Sequence, residues 1–287
     1  MKILHCYDDQ SKWGVMLHMA ALRRKIPTTL WRKESPKDGV VFYKMRHHPD
    51  SREKDKEMIA EIAGRGIPTI PGALMAHLYD DKVAQYANLK KWMPKSFYAA
   101  TIHEACKLIP LVNFPVISKA ACGASSHNVR MLMSYADATK EVGEAFSEGI
   151  PLWYDQRQQN YVFWQERLAP ESPEYRVICI GKQRYISKRI NKEGTQFASG
   201  SGISEPVLNH DSDEIKSVLE FVNRFIEYED FTFIALDIKQ KKSGWLLLEI
   251  SCSWVLESLF ESPFLPDGRT GEFFFDIILD EYEKGNL

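Results

Sequence analysis

Two carboxylates, Asp237 and Glu249, interrupt the apolar, β-prone stretch FTFIALDIKQKKSGWLLLEIS at residues 231–251. The stretch reads as a β-hairpin with its bend in KKSG. Direct opposition of the two acids centres the turn on residue 243, inside that bend, and a slip by one offsets the pair. Acids face to face on a hairpin repel one another. The pairing makes chemical sense with a cation between them. Hard divalent cations take carboxylate oxygens, and Mg²⁺ uses one or two of these with nucleotide phosphates and water. Ser251 alternates onto the face of Glu249 and adds a third oxygen. Two solvated rim carboxylates are the alternative, and the hairpin alone does not separate the two.

A second hairpin, EYRVICIGKQRYISKRIN at 174–191, bends at GKQR. A two-residue turn at Lys182 and Gln183 sets Arg176 opposite Arg189. Cross-strand arginines repel, which points to a bound anion. A screened, solvent-facing edge is the other reading. KMRHHPDSR at 44–52 gathers Lys44, Arg46, His47, His48 and Arg52 after a strand end. That patch suits a carboxylate or phosphate, or is an ordinary charged loop. The five cysteines (Cys6, Cys106, Cys122, Cys179 and Cys252) have no CxxC spacing and no adjacent base. They read as reduced thiols, with no zinc signal and no covalent nucleophile.

Positioning these residues requires a particular order of elements. KILHC (2–6) is a first strand, 14–26 has helical spacing, GVVFYKM (39–45) is a buried strand, and 53–66 is a helix ending on Gly64 or Gly66. IPTIPG then forms a strand edge, so the start is β-α-β-α-β and favours a small parallel sheet. Residues 80–92 are a helix opened by acids and closed by lysines. Thr101 and Glu104 have capping-box spacing. FPVISKAACGASSHNVRMLMS reads as strand, small-residue loop, strand, and ADATKEVGEAFSEG as a helix. YVFWQERLA (161–169) is a strand. In 212–230, Ile215, Val218, Leu219, Val222, Phe225 and Ile226 share one helical face that packs on a sheet. Trp254 reads as core, and GEFFFDIILDEYEK as a closing helix.

The bulk numbers narrow the class. The chain has 287 residues, 44% of them hydrophobic, and a net charge of −2. It is globular, with no global basic field for nucleic acid and no apolar run of membrane-spanning length. MKILHCYDDQ reads as a strand followed by acids rather than a signal peptide. The expected location is cytoplasmic.

In this order the parts resemble the ATP-grasp superfamily of carboxylate–amine ligases. The branch of ribosomal-protein glutamate ligases and lysine-biosynthesis ligases is nearest. The resemblance covers most of residues 60–255 and rests on order and spacing, since neither a Walker A nor a Rossmann fingerprint is present. It implies an α/β fold with α+β lobes: an N-terminal parallel-sheet domain (1–78), a small ATP-grasp lobe (79–150) and a large lobe with the metal hairpin (151–287). It implies ATP and one or two Mg²⁺ ions. Lys82 of DDKVAQY and Lys119 of FPVISK would hold phosphates. The loop ACGASSHNV, with Gly123, Ser125 and Ser126, would close over them through backbone N–H groups and hydroxyls. Gln165, Glu166, Arg167 and Leu168 match the adenine hinge, and Glu174 the ribose-binding acid. Arg176, Lys188 and Arg189 match the catalytic cations. Asp237 and Glu249 match the metal motif, with Ser251, whose hydroxyl is the weaker ligand, standing where the family has asparagine. The implied reaction turns a carboxylate into an acyl phosphate, which an amine of an amino acid or peptide then attacks, with ADP and phosphate released. A homo-oligomer is compatible with it. A catalytically weakened nucleotide-binding protein and an ATP-dependent small-molecule kinase are the alternatives; the two hairpins disfavour a pure interaction module.

Overall fold

The fold is known from a computed structural model, which describes residues 2–7, 12–32, 36–123, 128–190, 203–242, 244–254 and 274–287. It begins with β1 (Leu4–Tyr7), α1 (Trp13–Arg23), β2 (Thr28–Trp31), β3 (Val40–Phe42), α2 (Pro49–Gly64) and β4 (Thr69–Ile70). The four strands form a parallel sheet in the order β2-β1-β3-β4, as the apolar runs predict. Sequence reading misses β2, a short edge strand whose two central residues are exposed, so that it carries no alternation. The chain leaves β1 first to one side and then to the other. The carboxyl end of β3 therefore opens on a switch point, where α/β sheets bind ligands.

Next come α3 (Ala73–Leu78), α4 (Lys82–Leu89), β5 (Ser96–Ala99), α5 (Ile102–Leu108), β6 (Val116–Lys119), β7 (Val129–Leu132), α6 (Tyr135–Ala145), β8 (Ile150–Pro151), β9 (Arg157–Gln158) and β10 (Val162–Glu166). A second sheet runs β5-β10-β6-β7, each neighbouring pair antiparallel. Val116, Leu132, Ala138, Val142 and Trp164 share its core with Ala105 of α5. The cap forms with a shift: Thr101 Oγ1 accepts the Glu104 N–H at 3.2 Å, while the Glu104 carboxylate accepts the N–H of Ala100, one residue before the N-cap.

The third sheet contains β11 (Glu174–Ile180), β12 (Gln183–Ile190), β13 (Ile203–Pro206), β14 (Phe233–Lys241) and β15 (Gly244–Ser251) in the order β13-β12-β11-β14-β15. Between β13 and β14 lies α7 (Asp213–Glu229), and α8 (Phe274–Glu283) closes the chain. The predicted stripe on α7 packs against one face of this sheet, on Tyr175, Val177, Ile186, Leu236 and Ile238. Each fully buried Val or Phe there contributes roughly 1.5–3 kcal/mol.

The other face is split along its strands. Ile178, Ile180, Tyr185, Phe233 and Ala235 pack with α1, α8 and Trp254, which is buried and stacked on Phe233 at 5.2 Å. Two and four residues further along the strands, the same face carries Glu174, Arg176, Asp237, Lys239 and Arg189. Period-two alternation delivers these charges to one side of the sheet. Among the described residues, no helix is long and apolar enough to cross a membrane.

Candidate active site

The opposed acids depend on an irregularity. Lys241 pairs with Gly244, Gln240 with Trp245, Lys239 with Leu246 and Ile238 with Leu247. A regular ladder from that turn sets Asp237 against Leu248. A β-bulge intervenes at Leu248, and Asp237 pairs with Glu249. The turn is therefore one half-step from the expected centre at residue 243, and the bulge restores the opposition. It also keeps Trp245, Leu247 and Ile250 in one core while Glu249 and Ser251 face the other way.

The second hairpin corrects an expectation. Its turn is Gly181–Lys182, not Lys182–Gln183, because Ile180 pairs with Gln183 and Gly181 adopts the left-handed φ of +53° that a tight turn requires. Arg176 therefore faces Ser187, and Arg189 faces Glu174. The two arginines are diagonal neighbours, joined through Asp237. Arg176 grips Asp237 with two hydrogen bonds, of 2.7 and 2.6 Å, and Arg189 lies 3.9 Å away. Burial works to raise the Asp237 pKa, but the arginines outweigh it and hold it below the usual carboxylate value. Burial and Arg176 lower the Arg189 pKa against the pull of Asp237. Arg189 Nε is buried with no hydrogen-bond partner among the described residues. Lys188, by contrast, is exposed and pairs with Tyr175, so it lies on the helix-covered face, away from the arginines. A one-residue alternation excludes it from the site.

Lys82 opens α4, where Asp81 accepts the Ala84 N–H as N-cap. Its ammonium donates to Gly123 O at 2.8 Å and pairs with Glu249 at 3.2 Å. Burial opposes that charge, but Glu249 and Asp80 outweigh it and raise the pKa. One turn along α4, Gln85 bonds both the N–H and the C=O of Ile250 at 3.0 Å, fixing the helix to the edge of β15 beside Glu249. Lys119 ends β6 and donates to Gln165 Oε1 at 2.6 Å. Burial pushes its pKa down to about 8, with Glu249 opposing and Lys82 adding to the fall.

Gly123, at φ +126°, donates its N–H to Asp80 at 2.8 Å. Ser125 and Ser126 lie outside the described residues. At the end of β10, Glu166 pairs with Lys241 at 2.8 Å, and its N–H is bonded to Lys95 O. Arg167 is exposed and Leu168 buried. Glu174 is buried against Lys239 at 3.2 Å; burial raises its pKa while Lys239 opposes. Ser251 Oγ donates to Ser253 O at 2.8 Å.

Sequence reading overlooked Asp80, Lys239 and Lys241. Lys239 and Lys241 sit two and four residues past Asp237, so strand alternation was their available signal. Asp80 is a node: it holds Gly123 N–H and, through a short ion pair, Arg52 of α2. Arg52 belongs to the 44–52 patch. His47 of the same patch bonds Tyr79 at 2.7 Å, and burial, Lys44 and Arg52 lower its pKa against Asp80.

Lys82, Lys119, Arg176 and Arg189 thus surround the facing acids Asp237 and Glu249. The donors offered by those acids and Ser251 are all oxygens, suited to a hard dication. No group of three or more His, Cys, Asp or Glu residues able to hold a metal occurs among the described residues. Two carboxylates match Mg²⁺, which completes its shell with phosphate and water. Arg189 Nε, without a hydrogen-bond partner among the described residues, fits a bound anion on this guanidinium. The residues present therefore fit a Mg²⁺–polyphosphate.

No protein-family model matches the chain, and no curated protein matches it. Solved structures do. A RimK domain ATP-grasp protein from Sphaerobacter thermophilus is similar with a TM-score of 0.63 at 15% identity, covering 98% of each chain. D-alanine–D-alanine ligase from Bacillus anthracis, complexed with ATP, has a TM-score of 0.63 at 12% identity, covering 100% of this chain and 99% of its own. The ATP-grasp ligase PsnB, complexed with a minimal precursor, Mg and ADP, has a TM-score of 0.62 at 13% identity, over 97% and 96%. The parallel first sheet, the two larger antiparallel sheets and nearly full-length coverage agree: the chain has the ATP-grasp fold.

Proposed function

We propose that the chain is a Mg²⁺-dependent, ADP-forming ligase that joins a carboxylate to an amine of an amino acid or peptide. The observation that carries this reading is the set of four cations, Lys82, Lys119, Arg176 and Arg189, closing on the opposed pair Asp237 and Glu249. Lys82 and Lys119 bind nucleotide phosphates. Arg176 and Arg189 steady the oxygens of the transferring phosphoryl group and of the acyl phosphate. Lys188 has no part. Gln165 orients Lys119, and the backbone of Glu166 to Leu168 receives the adenine. Glu174 takes the ribose hydroxyls. Asp237, Glu249 and Ser251 would hold Mg²⁺, which would neutralise charge on the phosphates. The carboxylate attacks the γ-phosphorus, ADP leaves, and the amine then displaces phosphate. Positioning and charge neutralisation carry the chemistry. The 44–52 patch, open at the carboxyl end of β3, is the proposed seat of the anionic substrate group.

Calorimetric titration with Mg–ATP tests the nucleotide site. K119A and R176A are expected to weaken binding by about tenfold or more, a loss of charge-assisted contacts. Unchanged binding in both contradicts the assignment. A second reading, a nucleotide-binding protein with weakened catalysis, is favoured by one observation: Ser251 Oγ is committed to Ser253 O. It predicts Mg–ATP affinity without ADP release on any substrate.

A further inference from the structure

The strand end that carries Lys119 is fastened from behind by a buried carboxylate that the proposed chemistry does not use. Ser118 and Trp164 are direct cross-strand partners on β6 and β10. Ser118 Oγ donates to Glu141 Oε1 at 2.5 Å, and Trp164 Nε1 donates to the same oxygen at 2.9 Å. Glu141 lies on α6 and is 3% exposed. Its second oxygen is buried with no hydrogen-bond partner among the described residues. Burying a carboxylate beside Ala138, Val142 and Val116 with one oxygen unsatisfied is unfavourable for the core by itself.

Side chains alternate along a strand, so Lys119 and Gln165, each next to a Glu141 partner, project to the opposite face. There Lys119 donates to Gln165 Oε1, and Gln165 Nε2 donates to Ser96 Oγ on β5 at 3.1 Å. Toward β10, Ser118–Trp164 is the last pair of the ladder before β6 leaves for the loop holding Gly123.

We propose that Glu141 is a positioning residue: its single bridging oxygen locks the end of β6 to the middle of β10 so that Lys119 and Gln165 meet the nucleotide in one fixed arrangement. This rests on Lys119 as a phosphate ligand. The carboxylate acts through hydrogen bonding, not through its charge, because a glutamine oxygen accepts the same two bonds.

The test is a set of Mg–ADP dissociation constants for the wild type, K119A, E141L, E141Q and the double variant E141L/K119A. E141L is expected to weaken binding about tenfold, E141Q to stay within about twofold, and the double variant to bind no worse than K119A alone, the non-additivity of residues acting as one unit. If E141L binds like wild type while K119A does not, positioning by Glu141 is wrong and the nucleotide site stands. Additive losses in the double variant also overturn it, since Glu141 then acts on the fold at large. If K119A has no effect, Lys119 is not a phosphate ligand and the proposal falls with that assignment. Should E141L not fold, S118A and W164F each delete one donor and carry the same cycle with the same outcomes.

Discussion

Lys82, the first residue of α4, meets Glu249 of β15 at 3.2 Å. This contact joins the helix entering the second sheet to the acid-bearing hairpin of the third. The Lys82 side chain is 5% exposed and that of Glu249 is 31% exposed, so the pair sits at the mouth of the site rather than in bulk water. Gln85 sets its distance by bonding both the N–H and the C=O of Ile250 on the free edge of β15. Removing Lys82 takes away the Glu249 counter-ion, whereas removing Glu249 leaves Lys82 with Asp80 at 3.8 Å. In the ligand-free protein, a double-mutant cycle of K82M and E249Q is expected to give a coupling of about 1 kcal/mol by denaturant unfolding. A coupling near zero means the contact does not tie the two elements.

The opposed acids predict metal dependence. In wild type, chelating Mg²⁺ should weaken ATP binding about tenfold or more, and D237N or E249Q should remove most of that difference. S251N, which supplies an amide oxygen, should tighten Mg²⁺ in the nucleotide complex by several-fold, on the order of 1 kcal/mol. Calorimetry at a series of Mg²⁺ concentrations measures both.

The pH dependence of nucleotide binding follows from Lys119. Burial holds its pKa at about 8 in the free protein. A polyphosphate favours the charged form and raises that value, so binding takes up a proton above it. Affinity should be flat below about pH 8 and fall as pH rises through it, by up to tenfold per unit. Calorimetry in two buffers of different ionisation heat should show proton uptake at pH 9 that K119A abolishes.

Much of this architecture was legible because local signals and tertiary demands agree. The stripe Ile215, Val218, Val222 and Phe225 packs as its spacing predicts, and Thr101 caps its helix. What failed depended on a single register step. Because Gly181, not Gln183, enters the turn, Arg176 and Arg189 are diagonal rather than opposed, and alternation sends Lys188 to the far face. The Asp237–Glu249 opposition came from assuming a symmetric turn, whereas a bulge at Leu248 produces it. Asp80 and Glu141 act through partners distant in sequence, so no local pattern marks them.

Acid stability should depend on Glu281. Its side chain is 1% exposed and accepts hydrogen bonds from Lys182 N–H, Gln183, Lys284 and Asn286. Burial would raise its pKa, but these donors outweigh it and hold it at about 2, against an ordinary 4.5. A depressed carboxylate pKa stabilises the fold above the unfolded value and is lost as pH falls through the folded one. Roughly 3 kcal/mol should therefore disappear between about pH 4.5 and pH 2. E281Q should unfold more easily at neutral pH and show a shallower loss across that window in urea titrations.

The most direct test of the central claim is product analysis with Mg–ATP and a panel of amino acids and short peptides. The nucleotide product is identified and any new amide is detected by mass. A carboxylate–amine ligase yields ADP, phosphate and one amide in equal amounts for at least one substrate pair. AMP and pyrophosphate, or a stable phosphorylated product without an amide, would contradict it.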